Sequence, residues 1–182
     1  MILEIVSYGH PALRAKGRRI EKIDEKLVKL ADDMLETMHE ANGIGLAAQQ
    51  IGRPVQFCVI HIDNADEDPK NGNMWIGGEK VNMADYMPLA LVNPEIERSG
   101  EPELASEGCL SFPGISGEVE RPPRVAVKTQ LLDGSLLEFE ADGLLARAVQ
   151  HEHDHLHGIL FIDKMPPEEL AKIQPEINAL LA

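Results

Sequence analysis

The stretch "VQHEHDHLHG", Val149 to Gly158, places histidines at 151, 153, 155 and 157 with acids at 152 and 154. Read back to Asp142, the segment has helical character, with Asp142 set as a cap and Gly158 just past the end. On a helix, residues four apart share a face, so His151 and His155 can point at one ion. Glu152 lies one step round, within reach of a water on that ion. This is the HExxH arrangement of two imidazoles and a carboxylate base. His153 is turned about 200° from His151. It and His157 fall off the ligand face, as surface or backing residues.

Two ligands on one helix do not hold a metal, so the reading depends on a third. Without one, the segment is a core helix carrying surface histidines. A third histidine after the glycine, as in metzincins, would fall at Phe161. A later carboxylate would be Glu176. Upstream, Cys109 lies in "EGCLSFPG", Glu107 to Gly114, and a thiolate is a strong ligand for zinc or ferrous iron. Cys, His, His and one open position make a catalytic rather than a closed structural site. Cys58, inside an apolar run, reads as a small core residue.

Around this helix the pattern is mixed. Leu27, Leu30, Met34, Leu35 and Met38 recur at three- and four-residue steps, predicting a helix from Asp24 to Ala41 stopped by Asn42-Gly43. "VQFCVIHI" (55–62) and "PLALVNPEI" (88–96) read as strands, the second broken at Pro94. "RVAVKTQLL", Asp133-Gly134 and "SLLEFEA" predict a hairpin on the favoured Asp-Gly turn. Pro166-Pro167-Glu168-Glu169 opens a last helix, 166–182. Residues 63–87 show no period and read as a long loop of functional or disordered type. Trp75 within it is an anchor, a lid residue or a simple core cover.

With 182 residues, 43% hydrophobic and 26% charged, the chain reads as one globular domain, 1–182. That length buries roughly 70% of the unfolded surface. A net charge of −14 disfavours a phosphate-binding face, so no direct nucleic-acid binding is expected. The basic run Arg14, Lys16, Arg18 and Arg19 reads as a solvated turn. No apolar run reaches membrane-span length. The opening "MILEIVSYGHPALR" lacks a secretory pattern, and the two cysteines form no disulfide framework. The expected location is the cytoplasm.

Three motifs occur in order: "GIGLAAQQ" (Gly43–Gln50), "EGCLS" (Glu107–Ser111) and "QHEHDH" (Gln150–His155). With "GHPALR" near the start, they resemble the signature motifs of the peptide deformylase family over residues 2 to 165. The resemblance implies an α+β fold, antiparallel β-sheets packed around a central helix carrying HExxH. It implies Cys109, His151 and His155 as ligands of one divalent metal ion, ferrous iron by expectation, with zinc, nickel or cobalt as alternatives. It also implies Glu152 as general base, and Gln50 with the Leu110 N–H as oxyanion stabilisers. Gly45 would be a backbone element of the substrate groove.

The reaction implied is removal of the formyl group from formylmethionine at the start of newly made proteins, releasing formate. The partners are nascent formylated polypeptides and the ribosome. Family members often dock there through a basic C-terminal helix, whereas "PPEELAKIQPEINALLA" carries Lys172 as its only base. Ile44, Gly45 and Gly108, with Leu144 and Ala148 seven and three residues before His151, would line the groove and a methionine pocket. The competing readings are a zincin-type endopeptidase using Glu176 and a metal-binding protein without catalysis.

Overall fold

Helix α2 organises the chain. The computed structural model describes all residues, 1–182. In chain order the helices are α1 (Glu25–Glu40), α2 (Gly143–Leu156) and α3 (Pro167–Leu180). The strands are β1 (Gly45–Ala47), β2 (Phe57–Ile60), β3 (Met74–Ile76), β4 (Glu79–Val81), β5 (Leu89–Ser99), β6 (Glu103–Gly108), β7 (Ser116–Arg121), β8 (Arg124–Gln130) and β9 (Leu136–Ala141). All pairings between these strands are antiparallel, in one seven-stranded sheet of order β1-β2-β5-β8-β9-β3-β4 and a separate β6-β7 hairpin. The fold is the expected α+β one.

Strand β2 shows why α2 is central. Its four residues are all buried. Successive side chains point to opposite faces. Phe57 and Val59 therefore join the core under α1, with Leu30, Met34 and Met38. Cys58 and Ile60 join the core under α2, with Leu145, Ala146, Val149 and Leu156. A strand covered on both faces reads as a continuous apolar run. Cys58 is a buried core residue in this layer, 1% exposed. A third cluster, including Leu13, Phe112, Phe161 and Ile177, seats α3 and the hairpin of β6 and β7.

Helix α1 starts as expected, with the Asp24 side chain accepting from Leu27 N at 3.1 Å. It stops at Asn42, which turns left-handed at φ 58°. Asp142 holds the cap position of α2, but its side chain accepts instead from Asn73 N at 2.6 Å. That carboxylate ties the 63–87 segment to the helix rather than capping it. The segment is not a structureless loop. It carries β3, β4 and 3₁₀ turns at Pro69–Asn71 and Met83–Tyr86, and β3 pairs with β9. Three-residue strands are too short to display alternation, so no period showed. Trp75 sits on β3, half-buried, with the Arg124 guanidinium 4.2 Å above its ring.

Two further expectations change. Pro94 does not break its strand: β5 runs to Ser99, and the register passes from Val92↔Gln130 to Glu95↔Lys128 across a one-residue bulge. Asn93 takes φ 50° there and bonds Ile20 N, Ile20 O and Gln130 Oε1, while Pro94 has no N–H to strand. The β8–β9 hairpin forms, but not on a two-residue Asp-Gly turn. Leu131 N donates to Ser135 O, leaving a three-residue loop of Leu132, Asp133 and Gly134, with Gly134 alone left-handed.

Candidate metal centre and active site

Helix α2 presents His151 and His155 on one face, and the end of β6 delivers Cys109 opposite them. The three donor atoms lie within 4.8 Å of one another. Cys109 Sγ is 3.4 Å from His155 Nε2. Two ligands of a tetrahedral zinc-type ion with ordinary sulfur and imidazole bond lengths sit about 3.6 Å apart. The donor set and its spacing therefore fit a single cation. Glu152 Oε1 and His155 Nδ1 are buried without a hydrogen-bond partner in the protein. Glu176 lies exposed on α3 and is not among the grouped donors. The geometry thus removes it as third ligand and with it the endopeptidase reading.

Charge is arranged around burial. Burial pushes the Glu152 carboxyl up to about 7, against the pull of His151 and Arg121. Burial also pushes His155 well below 6.5, helped by the His151 charge, so its imidazole is neutral and free to donate a lone pair. For His151 burial acts the same way, but the Glu152 charge and hydrogen bonds with Cys109 and Glu107 outweigh it and raise it. His153 and His157 lie off the ligand face, their rings 4.5 Å apart. Burial holds His153 down to about 4.

Glu107 is the feature sequence reasoning missed. Its carboxylate meets His151 Nδ1 at 2.9 Å, Arg121 Nε at 2.6 Å, Arg121 Nη2 at 2.9 Å and Arg147 Nη2 at 3.1 Å. Burial works against its charge, but His151 and Arg121 hold the carboxyl down to about 2. Arg121, 2% exposed, also donates to Asp154, which accepts from Arg98 in turn. Glu107 stands inside "EGCLS", but a lone acid on a strand carries no sign of its partners; only a buried arginine would have prompted the search.

Gln50 is buried, 1% exposed, beside the three donor residues. Its Oε1 accepts from Ala47 N at 3.0 Å, which turns Nε2 toward Cys109 Sγ at 3.5 Å and Ser111 Oγ at 3.2 Å. The Leu110 N–H donates to no backbone acceptor. A cavity of about 1160 Å³ opens in front of the centre, and Ile44, Gly45, Gly108, Leu110, Leu144 and Ala148 all line it. The turn from Asp68 to Asn73 forms another wall. Trp75 is not on that wall. Gly45 has an ordinary φ; its missing Cβ leaves room for Glu152, whose Cδ would be 2.8 Å away.

An HExxH helix, a cysteine brought in by a separate hairpin and a buried carboxylate beside an open cleft define a metal-dependent hydrolase. The profile of the polypeptide deformylase family matches residues 2–171. A peptide deformylase of Opitutus terrae is 47% identical over 99% of this chain and 93% of its own length. One from Dictyoglomus thermophilum is 45% identical over 93% of this chain and 97% of its own. The crystal structure of the Thermotoga maritima peptide deformylase superposes with a TM-score of 0.77 at 39% identity, over 92% of this chain and 99% of that one. A Synechococcus elongatus peptide deformylase in complex with actinonin gives 0.78 at 37%, over 98% and 84%. The chain belongs to the polypeptide deformylase family, enzymes that remove the N-terminal formyl group from nascent peptides.

Proposed function

We propose that residues 1–182 act as one catalytic unit in which Cys109, His151 and His155 hold a single ferrous ion, with Glu152 as the general base. The observation that carries this is the grouping of the three donor atoms around one point, with Glu152 buried beside them. When bound, the cation supplies Lewis acidity and lowers the pKa of a water at the open position. Glu152 would accept the attacking water's proton on its carboxylate, whose Oε1 has no partner in the protein. It later returns the proton to the leaving amine, so the formyl carbon leaves as formate and the peptide keeps a free N-terminus. Gln50 Nε2 and the Leu110 N–H face the oxygen on which negative charge builds; one such donor is commonly worth about 3 kcal/mol.

The nascent peptide lies extended between the outer edges of β1 and β6, both of which border the cavity. Backbone pairing at Gly45 and Gly108 then recognises chains of any sequence. Leu144, Ala148 and Ile44 receive the methionine side chain. The setting is the cytoplasm, with the substrate met at or near the ribosome; no helix is long and apolar enough to cross a membrane. The acidic α3 does not suit docking on ribosomal RNA by charge.

The test is formate release from a formyl-Met tripeptide by protein loaded with ferrous iron without oxygen, then stripped by a chelator. Turnover that disappears on stripping and returns with iron is expected. A loaded protein that releases no formate would overturn the reading.

A further inference from the structure

We infer that Glu107 is a positioning residue for the metal centre, fixing His151 in the tautomer that turns Nε2 toward Cys109 and His155. The inference rests on those three residues being the ligands. An ionised carboxylate is acceptor-only, so the 2.9 Å contact with His151 Nδ1 requires the proton on that nitrogen. With the proton kept on Nδ1, Nε2 is the nitrogen that gives up its proton to a bound cation and offers it a lone pair. Glu107 cannot swing away, because Arg121 grips it through Nε and Nη2 and Arg147 closes the remaining side. Arg121 in turn donates to Asp154 at 2.9 Å, three residues along α2 from His151. The helix is therefore held at two points by one carboxylate–arginine unit.

Glu107 also stands two residues before Cys109, at the end of β6. One carboxylate thus sets both the orientation of a helix ligand and the distance of the hairpin ligand from it. Glu107 borders the cavity, but both of its carboxylate oxygens are taken up by His151, Arg121 and Arg147 rather than offered to substrate. Its effect passes through His151, as with other carboxylates that orient metal-bound imidazoles.

The experiment measures zinc affinity of the whole protein by competition with a chromophoric chelator, for wild type, Glu107→Gln and Glu107→Asp. The imidazole nitrogens of His151 are read in parallel by ¹⁵N NMR of the zinc form. Glu107→Gln must turn an amide NH₂ toward Arg121 or toward His151, so affinity should fall about 10- to 100-fold. The His151 nitrogen shifts should move from a single tautomer toward a mixture. At saturating zinc, kcat should fall while KM for a formyl-Met peptide stays within about twofold. Glu107→Asp keeps the charge one methylene back and should recover part of the affinity; it decides the matter if the glutamine variant does not fold. Affinity within twofold of wild type, with unchanged nitrogen shifts, in whichever variants fold overturns the inference. If wild type itself fails to bind one zinc ion, the ligand assignment has failed instead.

Discussion

Replacing Gly45 by alanine isolates the Glu152 carboxylate without touching it. Gly45 pairs with Ile60 in β1 and has no need of a left-handed backbone. A Cβ there would overlap Glu152 Oε2 and stand 2.8 Å from Cδ and 3.1 Å from Cγ. Glu152 is 4% exposed, packed at the back of the cavity beside the three donors. Either β1 retreats or the carboxylate rotates away from its place beside the ligands. Overpacking of this kind costs typically 1–3 kcal/mol, and each kcal/mol lowers Tm by about 2–4 °C in a chain of this length. A misplacement of about 1 Å at a reacting group can cost 100-fold in rate. We expect Gly45→Ala to lose about 100-fold in kcat/KM for a formyl-Met tripeptide, followed by formate release, and to melt a few degrees lower. It should still carry one metal ion per chain, since the atoms nearest an added Cβ all belong to Glu152 and none to the three donors. Activity within threefold of wild type in a folded, metal-loaded variant would refute the reasoning.

Other perturbations probe different parts of the site. Ala148→Trp fills the cavity wall seen before His151; it should raise KM for formyl-Met peptides with metal retained and affect formyl-Ala peptides less. Equal losses for both would remove the pocket assignment. Cys109→Ser offers a harder and weaker ligand, so metal analysis should show loss or much weaker binding; full occupancy and full activity would contradict it. Because Glu152 works as a base only when ionised, kcat/KM should fall as pH drops through a limb between the ordinary 4.5 and about 7. The bound cation draws that limb below 7, and a flat profile from pH 5 to 8 would speak against Glu152.

What the sequence revealed follows from the range of each signal. The i, i+4 spacing of His151 and His155 is a local geometric fact, so the ligand face of α2 was readable from the letters. The third ligand was readable only through the motif resemblance, which named Cys109. Spacing alone left Cys109 and Glu176 both open until the fold carried the end of β6 to α2 and left Glu176 exposed on α3. Glu107 stayed hidden because its meaning lies in Arg121 and Arg147, partners from β7 and α2 that no local pattern joins to it. The 63–87 segment hid β3 and β4 because each has three residues, less than is needed for alternation to show. Pro94 signalled a break where tertiary pairing imposed a bulge, with Asn93 supplying the backbone bend. Gly45 was read as a backbone element of the substrate groove; that the Glu152 carboxylate takes the space of its missing Cβ required the packing of β1 on α2.

On the proposed reading, Glu152 moves the proton in a centre whose metal is held by other residues. Glu152→Gln tests it most directly, by metal content and formate release measured on the same sample. The amide keeps the shape and cannot accept the proton, so one metal ion per chain should remain while turnover falls at least about 100-fold. Metal retained with activity within tenfold of wild type would contradict the account.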